Sequence, residues 1–256
     1  MLRSLLFAVV FYATTAVFMI VGSPLLFGPR RWAMAALALH ARCSLWLLRR
    51  IVGLGVEVRG LERLPPGPVL IAAKHQSAWD TFGLIPIFRD PALVMKAELM
   101  RIPLYGWFSR KFGMIPIRRE AGASALREML RAARDRADQG REVLVFPEGT
   151  RRAPGAPPDY KPGFLLMYEA LGVPCTPIAL NSGLFWPRRT LRRYPGTIVV
   201  EILETLPAGL KRAEFRARVI ERIETATARL IEEGRAQDRR QLEVMAKIGD
   251  KHETRT

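Results

Sequence analysis

The chain has 256 residues, 49% hydrophobic and 25% charged, a balance that supports one folded domain with an appendage and excludes a disordered chain. Forty Lys and Arg against 24 Asp and Glu leave a formal charge of +16, which points to an anionic partner: nucleic acid, a membrane surface or a phosphorylated substrate. Cys43 and Cys175 are the only cysteines, too few for a disulfide framework or a Cys-based zinc site.

The amino-terminal stretch chooses among those partners. From Ser4 to Pro29 no residue is charged, and the 23 residues from Leu5 to Phe27 are mostly apolar. At ~1.5 Å per residue this run is long enough to cross a bilayer core of ~30 Å. A second apolar stretch, Trp32 to Leu48, is broken by His40, Arg42 and Ser44 and closed by Arg49 and Arg50. Trp32 and Trp46 lie near its ends, where amphipathic rings favour the water–lipid boundary. Gly28-Pro29 separates the two stretches as a helix breaker. Either the pair dips into one leaflet as a helical hairpin, or the first helix spans and the second lies on the surface. A cleaved secretory signal would need a shorter apolar run and a small-x-small site. An ordinary buried hairpin is the other alternative, although 23 uncharged residues are rare in soluble cores. Residues 1–53 are therefore read as hydrophobic membrane-anchoring helices.

After Gly53 short β-branched runs alternate with helical patterns. The predicted strands are Val56–Arg59, Val69–Ala73, Ala92–Lys96, Met114–Ile117, Val143–Phe146, Thr176–Leu180 and Thr197–Leu203. The predicted helices are Thr81–Phe88, Leu99–Phe112, Ala123–Gln139, Gly163–Leu171 and Ala213–Glu233. This alternation indicates an α/β domain over 54–233 with a largely parallel β-sheet flanked by helices. Val143 to Phe146 has no polar residue, as a central strand covered on both faces requires. In the last helix Phe215, Val219, Ile223, Ala226 and Leu230 form one core-facing stripe. Residues 234–256 are polar and are expected to form a frayed tail.

Chemistry-bearing residues follow the strands. Lys74-His75-Gln76-Ser77-Ala78-Trp79-Asp80 comes directly after Val69–Ala73, and strand ends of an α/β sheet are where ligands bind. His75 is the only histidine in the α/β body and can take a proton near neutral pH. On a continuous helix His75 and Asp80 would lie about 140° apart. They meet only if His75 sits in the loop and Asp80 in the first helical turn. Asp80 would then hold one imidazole nitrogen and leave the other as a base. The alternative is a loop histidine with Asp80 capping its helix. No Gly-x-Ser-x-Gly elbow is present, and Ser77 is too close in sequence to His75 to be its nucleophile, so the base would act on a substrate hydroxyl.

Three further strand ends carry cations. Lys96 closes Val94-Met95-Lys96. Arg118 and Arg119 close Gly113-Met114-Ile115-Pro116-Ile117-Arg118-Arg119. Phe146-Pro147-Glu148-Gly149-Thr150-Arg151 follows the buried strand. Gly149 permits positive φ, Thr150 can donate a hydrogen bond, and Arg151 offers a planar fork suited to phosphate. A parallel sheet would gather these segments at one edge. Each alone also reads as a turn with a solvated basic residue. Backbone N–H groups around Lys96 and Gly149 are candidates to hold an oxyanion.

Four ordered blocks resemble those of the glycerolipid acyltransferase family: His75-x-x-x-x-Asp80, Gly113 to Arg119, Phe146 to Arg151, and Val173-Pro174-Cys-Thr-Pro177-Ile-Ala. The likeness is to its bacterial 1-acyl-sn-glycerol-3-phosphate acyltransferases. It implies transfer of a fatty acyl group from a coenzyme A or acyl-carrier-protein thioester to the sn-2 hydroxyl of lysophosphatidic acid. It implies His75 as base, Asp80 as its orienter, no acyl-enzyme, and no cofactor or metal beyond the thioester co-substrate. Arg119 by matching position, with Arg151, Lys96 and Arg118, would hold the acceptor phosphate, and Glu148, Gly149 and Thr150 would support the motif or the oxyanion. Many bacterial members have Asp-Arg where this chain has Arg118-Arg119, which leaves the acceptor open to another lysolipid, such as lyso-ornithine lipid or a lysophospholipid. The implied location is the bacterial inner membrane, with the catalytic domain on the cytoplasmic side.

Two other classes are compatible with the charge. A nucleic-acid-binding protein lacks support: no helix-turn-helix, zinc or RNA-binding aromatic signature occurs, and no nucleic-acid partner is expected. A non-catalytic lipid-binding protein would have no use for a His/Asp pair at a strand end.

Overall fold

The computed structural model describes residues 1–118 and 122–253, with side chains through residue 237. Seven strands form one sheet: β1 (Leu54–Arg59), β2 (Val69–Ala73), β3 (Pro91–Lys96), β4 (Ile115–Ile117), β5 (Glu142–Val145), β6 (Cys175–Leu180) and β7 (Gly196–Ile202). Each lies within two residues of its predicted bounds. The spatial order is β1-β7-β6-β2-β5-β3-β4. β6, β2, β5, β3 and β4 pair in parallel, whereas β7 pairs antiparallel to β6 and parallel to β1. Five carboxyl ends, including those of β2, β5, β3 and β4, therefore open on one edge.

Alternation along β2 divides the core in two. Leu70 and Ala72 face Met129 and Ala133 of α5 (Gly122–Asp138), Phe164 and Tyr168 of α6 (Pro162–Leu171), and Phe215, Val219 and Ile223 of α8 (Arg212–Glu253). Ile71 and Ala73 face the cluster holding Phe7 of α1 (Leu2–Val21), Leu48 and Val52 of α2 (Arg30–Val52), and Trp79. Fully burying each Val, Leu, Ile, Met or Phe among these contributes about 1.5–3 kcal/mol. The stripe predicted on the last helix is thus its core face.

Several helices differ from the predicted ones. Thr81–Phe88 resolves into α3 (Asp80–Gly83) and a 3-10 turn at Ile85–Ile87, because Pro86 cannot supply a helical N–H. Leu99–Phe112 is broken at Pro103, with Leu104 at φ 58°, into a 3-10 segment and α4 (Tyr105–Lys111). The sequence pattern also missed α7 (Ser182–Phe185). α8 continues past Gly234 to Glu253, so the segment read as a frayed tail extends that helix.

The apolar run Leu5–Phe27 is not one helix. α1 ends at Val21, and Pro24 falls in a 3-10 turn at Ser23–Leu26 before α2 begins. At 20 residues α1 is long and apolar enough to cross a membrane, and most of its surface is exposed. α2 is amphipathic. It buries Ala33, Ala41, Ser44, Leu48 and Val52 and exposes Arg31, Arg42, Arg49 and Arg50. Thr15 and His40 Nε2 hydrogen-bond across the pair at 3.0 Å. Since Phe7, Leu48 and Val52 are core residues, both helices are built into the α/β body and not merely appended to it.

Candidate active site

The parallel sheet delivers four segments to one place. His75 sits in the loop after β2, and Asp80 opens α3, the arrangement the five-residue spacing requires. His75 Nδ1 and Asp80 Oδ2 are 2.9 Å apart. Asp80 is fully buried and its carboxylate is turned back onto the preceding loop, away from its own helix. Oδ2 also accepts the backbone N–H groups of Gln76 at 2.7 Å and Ser77 at 2.9 Å. Oδ1 accepts the hydroxyls of Ser182 at 2.6 Å and Ser77 at 3.2 Å. Five donors fix this carboxylate as an acceptor. An ionised Asp80 fixes the proton on Nδ1, so Nε2 is the lone-pair nitrogen. Ser77 is fully buried and does not line the cavity that His75 borders, so its hydroxyl is not placed as a nucleophile.

The Phe146–Arg151 segment is stitched to the histidine. The Phe146 ring stacks on the imidazole, with centroids 4.0 Å apart and planes inclined by 15°. The His75 backbone N–H donates to Glu148 Oε2 at 3.2 Å, and its carbonyl accepts from the Arg152 N–H at 2.8 Å. Both main-chain polar groups of His75 are thereby satisfied by one loop. Gly149 turns that loop with φ 64°, a conformation costly for residues with a Cβ. Its own N–H donates to the Phe146 carbonyl at 2.9 Å. That N–H is therefore spent within the turn and is not a free oxyanion donor.

Glu148 serves as support. It is fully buried, and Lys74 Nζ donates to it at 2.8 Å. The same ammonium donates to Glu224 of α8 at 2.7 Å, and Tyr160 Oη donates to Glu224 Oε1 at 2.9 Å. Burial pushes the Glu148 carboxyl upward, while Lys74 opposes that shift. The sequence reading missed Lys74, Tyr160, Ser182 and Glu224. Lys74 stood unassigned inside the first block, whereas Ser182 is 102 residues from Asp80 and Glu224 is 150 from Lys74, separations that carry no sequence signal.

His75, Lys96, Arg118, Glu148, Gly149, Thr150 and Arg151 all border one cavity of about 810 Å³. Lys96 closes β3 and is exposed at the cavity wall. Arg118 follows β4 and pairs with Glu128 of α5. Arg151 is exposed, and no acidic partner pairs with it among the described residues. Lys161, which the sequence reading did not single out, adds a fourth cation and pairs with Asp159 at 2.7 Å. Arg119 lies outside the described residues. The remaining wall is mostly apolar, with Val94, Leu126, Met129, Phe164 and Met167. Among the described residues no cluster of three or more His, Cys, Asp and Glu could hold a metal ion. The arrangement offers a proton acceptor with a fixed tautomer, a cationic side and an apolar side within one cavity.

The acyltransferase family model matches residues 55–181. The chain is 38% identical over 161 residues to a 1-acyl-sn-glycerol-3-phosphate acyltransferase of Pseudomonas aeruginosa, covering 63% of each chain. It is 30% identical over 188 residues to the lyso-ornithine lipid O-acyltransferase of the same organism, covering 66% of this chain and 72% of the other. The match to an Arabidopsis thaliana chloroplastic 1-acyl-sn-glycerol-3-phosphate acyltransferase, 30% identical over 177 residues, covers 67% of this chain and only 48% of that protein. In fold the chain is similar to the crystal structure of the 1-acyl-sn-glycerophosphate acyltransferase of Thermotoga maritima. The TM-score is 0.74 at 24% identity, over 90% of this chain and 97% of that one. With the four sequence blocks on adjoining parts of the sheet and a relative matched over most of its length, the chain belongs to the acyltransferase family.

Proposed function

We propose that the protein transfers a fatty acyl group from a coenzyme A or acyl-carrier-protein thioester to the sn-2 hydroxyl of lysophosphatidic acid. The observation that carries this reading is the His75–Asp80 pair, of which His75 borders a cavity with both cationic and apolar walls. His75 Nε2 removes the hydroxyl proton as the oxygen attacks the thioester carbonyl. The tetrahedral oxyanion collapses, the C–S bond breaks, and the leaving thiolate takes the proton back from the imidazolium. The products are an ester and a thiol, no acyl-enzyme forms, and the chemistry requires no metal. Asp80 acts through His75 by holding its tautomer. The deciding experiment is an acyltransfer assay on purified protein, with a panel of lysolipid acceptors and both donor types. Absence of transfer to lysophosphatidic acid from either donor would overturn the proposal.

A lyso-ornithine acceptor is the second reading, favoured by the relative of that name. Lys96, Arg118, Arg151 and Lys161 favour the phosphate-bearing acceptor, because a guanidinium or ammonium pairs strongly with phosphate. Arg151→Ala is expected to raise the KM for lysophosphatidic acid about 10-fold, the low end for a charge-assisted contact because Arg151 is exposed. The KM for the acyl donor should stay unchanged. Arg119→Ala, at the matching family position, is expected to act in the same direction. Equal changes in both KM values would assign these arginines a structural role.

We also propose that α1 and α2 hold the enzyme at a membrane, where a single-chain lysolipid resides. Deleting residues 1–50 is a poor test, because it removes Phe7 and Leu48 from the core. Val9→Lys with Tyr12→Lys alters only the exposed face of α1. This pair is expected to shift the protein from the membrane pellet to the supernatant on fractionation, with activity on detergent-dispersed substrate retained. Unchanged pelleting would argue against α1 as the anchor.

A further inference from the structure

The segment between β6 and β7 has a composition the acyl-transfer chemistry does not use. Residues 181–195 contain Arg188, Arg189, Arg192 and Arg193 and no acidic residue. None of these four arginines forms an ion pair among the described residues, although elsewhere the surface is laced with Arg–Glu and Arg–Asp pairs. Leu191 is 57% exposed and Tyr194 is 42% exposed, so two apolar groups project among the cations. An unpaired cationic loop carrying exposed Leu and Tyr fits the boundary between lipid headgroups and acyl chains, where charge meets phosphate and amphipathic rings sit.

The loop is fixed to the helix that would enter the lipid. Ser4 of α1 accepts the Arg193 N–H at 2.9 Å and donates to the Arg193 carbonyl at 3.2 Å. Phe7 packs edge-on against Trp186 at 5.6 Å, and the Arg193 guanidinium lies over the same indole at 3.9 Å. The first turns of α1 expose Leu2, Leu5, Leu6 and Val9. Residues 1–53 likewise contain six arginines and no acid. At its other end the segment begins at Ser182, which donates to Asp80. One stretch of chain therefore runs from the carboxylate behind His75 to the start of α1.

We propose that the loop Trp186–Tyr194 is a second membrane-docking element that binds anionic lipid headgroups, with Arg189 and Arg192 meeting phosphate and Leu191 entering the interface. This rests on the reading that the enzyme works at a membrane, and adds a preference for bilayer charge made by Arg189 and Arg192, which do not line the acceptor cavity, although Arg188 of the same loop donates to the Arg151 carbonyl at 2.7 Å. Two basic residues at an anionic surface multiply the local binding constant by about 30-fold, so removing both should reduce loop contact by about that factor.

The test uses the full-length protein in a Cys43→Ser background, reconstituted into vesicles, with a fluorophore placed through Leu191→Cys or, separately, Tyr12→Cys. Quenching by bromine-labelled lipid is read in phosphatidylcholine vesicles with and without phosphatidylglycerol. The expected result is quenching of the 191 label that requires phosphatidylglycerol, weakens with added salt and falls in Arg189→Gln/Arg192→Gln. Activity of that double variant on detergent-dispersed substrate should be unchanged. No quenching at 191 while the Tyr12 label is quenched would overturn the loop proposal and leave the α1 anchor standing. Equal quenching in neutral and anionic vesicles would overturn the headgroup assignment. No quenching at either position would overturn the membrane reading itself.

Discussion

His75→Ala is expected to reduce turnover by at least about 10²–10⁴-fold, the usual contribution of a positioned general base. Fold and membrane association should be retained. The imidazole is 12% exposed, touches the cavity and is held by stacking and by one carboxylate, so truncating it leaves no buried charge without a donor. Asp80 still accepts from Gln76, Ser77 and Ser182 in that variant. Asp80→Asn is expected to behave differently. One of its two polar atoms becomes an NH2 group facing donors that need an acceptor, so the loop loses stability as well as the His75 tautomer. A small residual rate and a lower Tm should appear together. The checks are steady-state rates with lysophosphatidic acid and a thermal melt of each variant. Near-wild-type turnover in a folded His75→Ala protein would remove the base mechanism.

Lys74→Met is expected to produce the largest loss of stability. Lys74 is 2% exposed and is shared between Glu148, which is fully buried, and Glu224, which is 23% exposed. Removing one member of a buried ion pair typically costs about 3–5 kcal/mol, because the charge left behind has neither water nor a partner. The loss should depend on pH. Burial already raises the Glu148 carboxyl, and without Lys74 only the His75 N–H opposes that shift. A carboxyl raised in the folded state binds more protons there than in the unfolded chain. Stability therefore falls as pH rises from the ordinary carboxylate range through the folded value. The variant should be closer to wild type near pH 5 than near pH 8. Denaturant melts at the two pH values check this, and a deficit independent of pH would mean that packing, not the stranded carboxylate, sets the cost. Since Glu148 also accepts the His75 N–H, turnover of the folded fraction should fall too.

Much of this protein is decided locally. The seven strands are legible because strands buried on both faces must be apolar and β-branched, and the polar turns around them mark their ends. The stripe on α8 is legible because helical period and burial coincide there. The His75–Asp80 contact is also local in sequence: five residues across a strand–loop–helix junction bring the two within reach, and Phe146, Glu148 and Ser182 then hold them from other elements. Other features belong to the tertiary structure alone. The run Leu5–Phe27 reads as one apolar segment, yet Gly22 and Pro24 end α1, and Phe7 is spent on the core and not on lipid. Glu148 reads as a motif residue in the sequence, but its role follows from Lys74 and Glu224, which reach it from other elements. Ser182 and Glu224 are joined to the site by hydrogen bonds across more than a hundred residues, and such contacts exist only once the parallel sheet has gathered its strand ends on one edge.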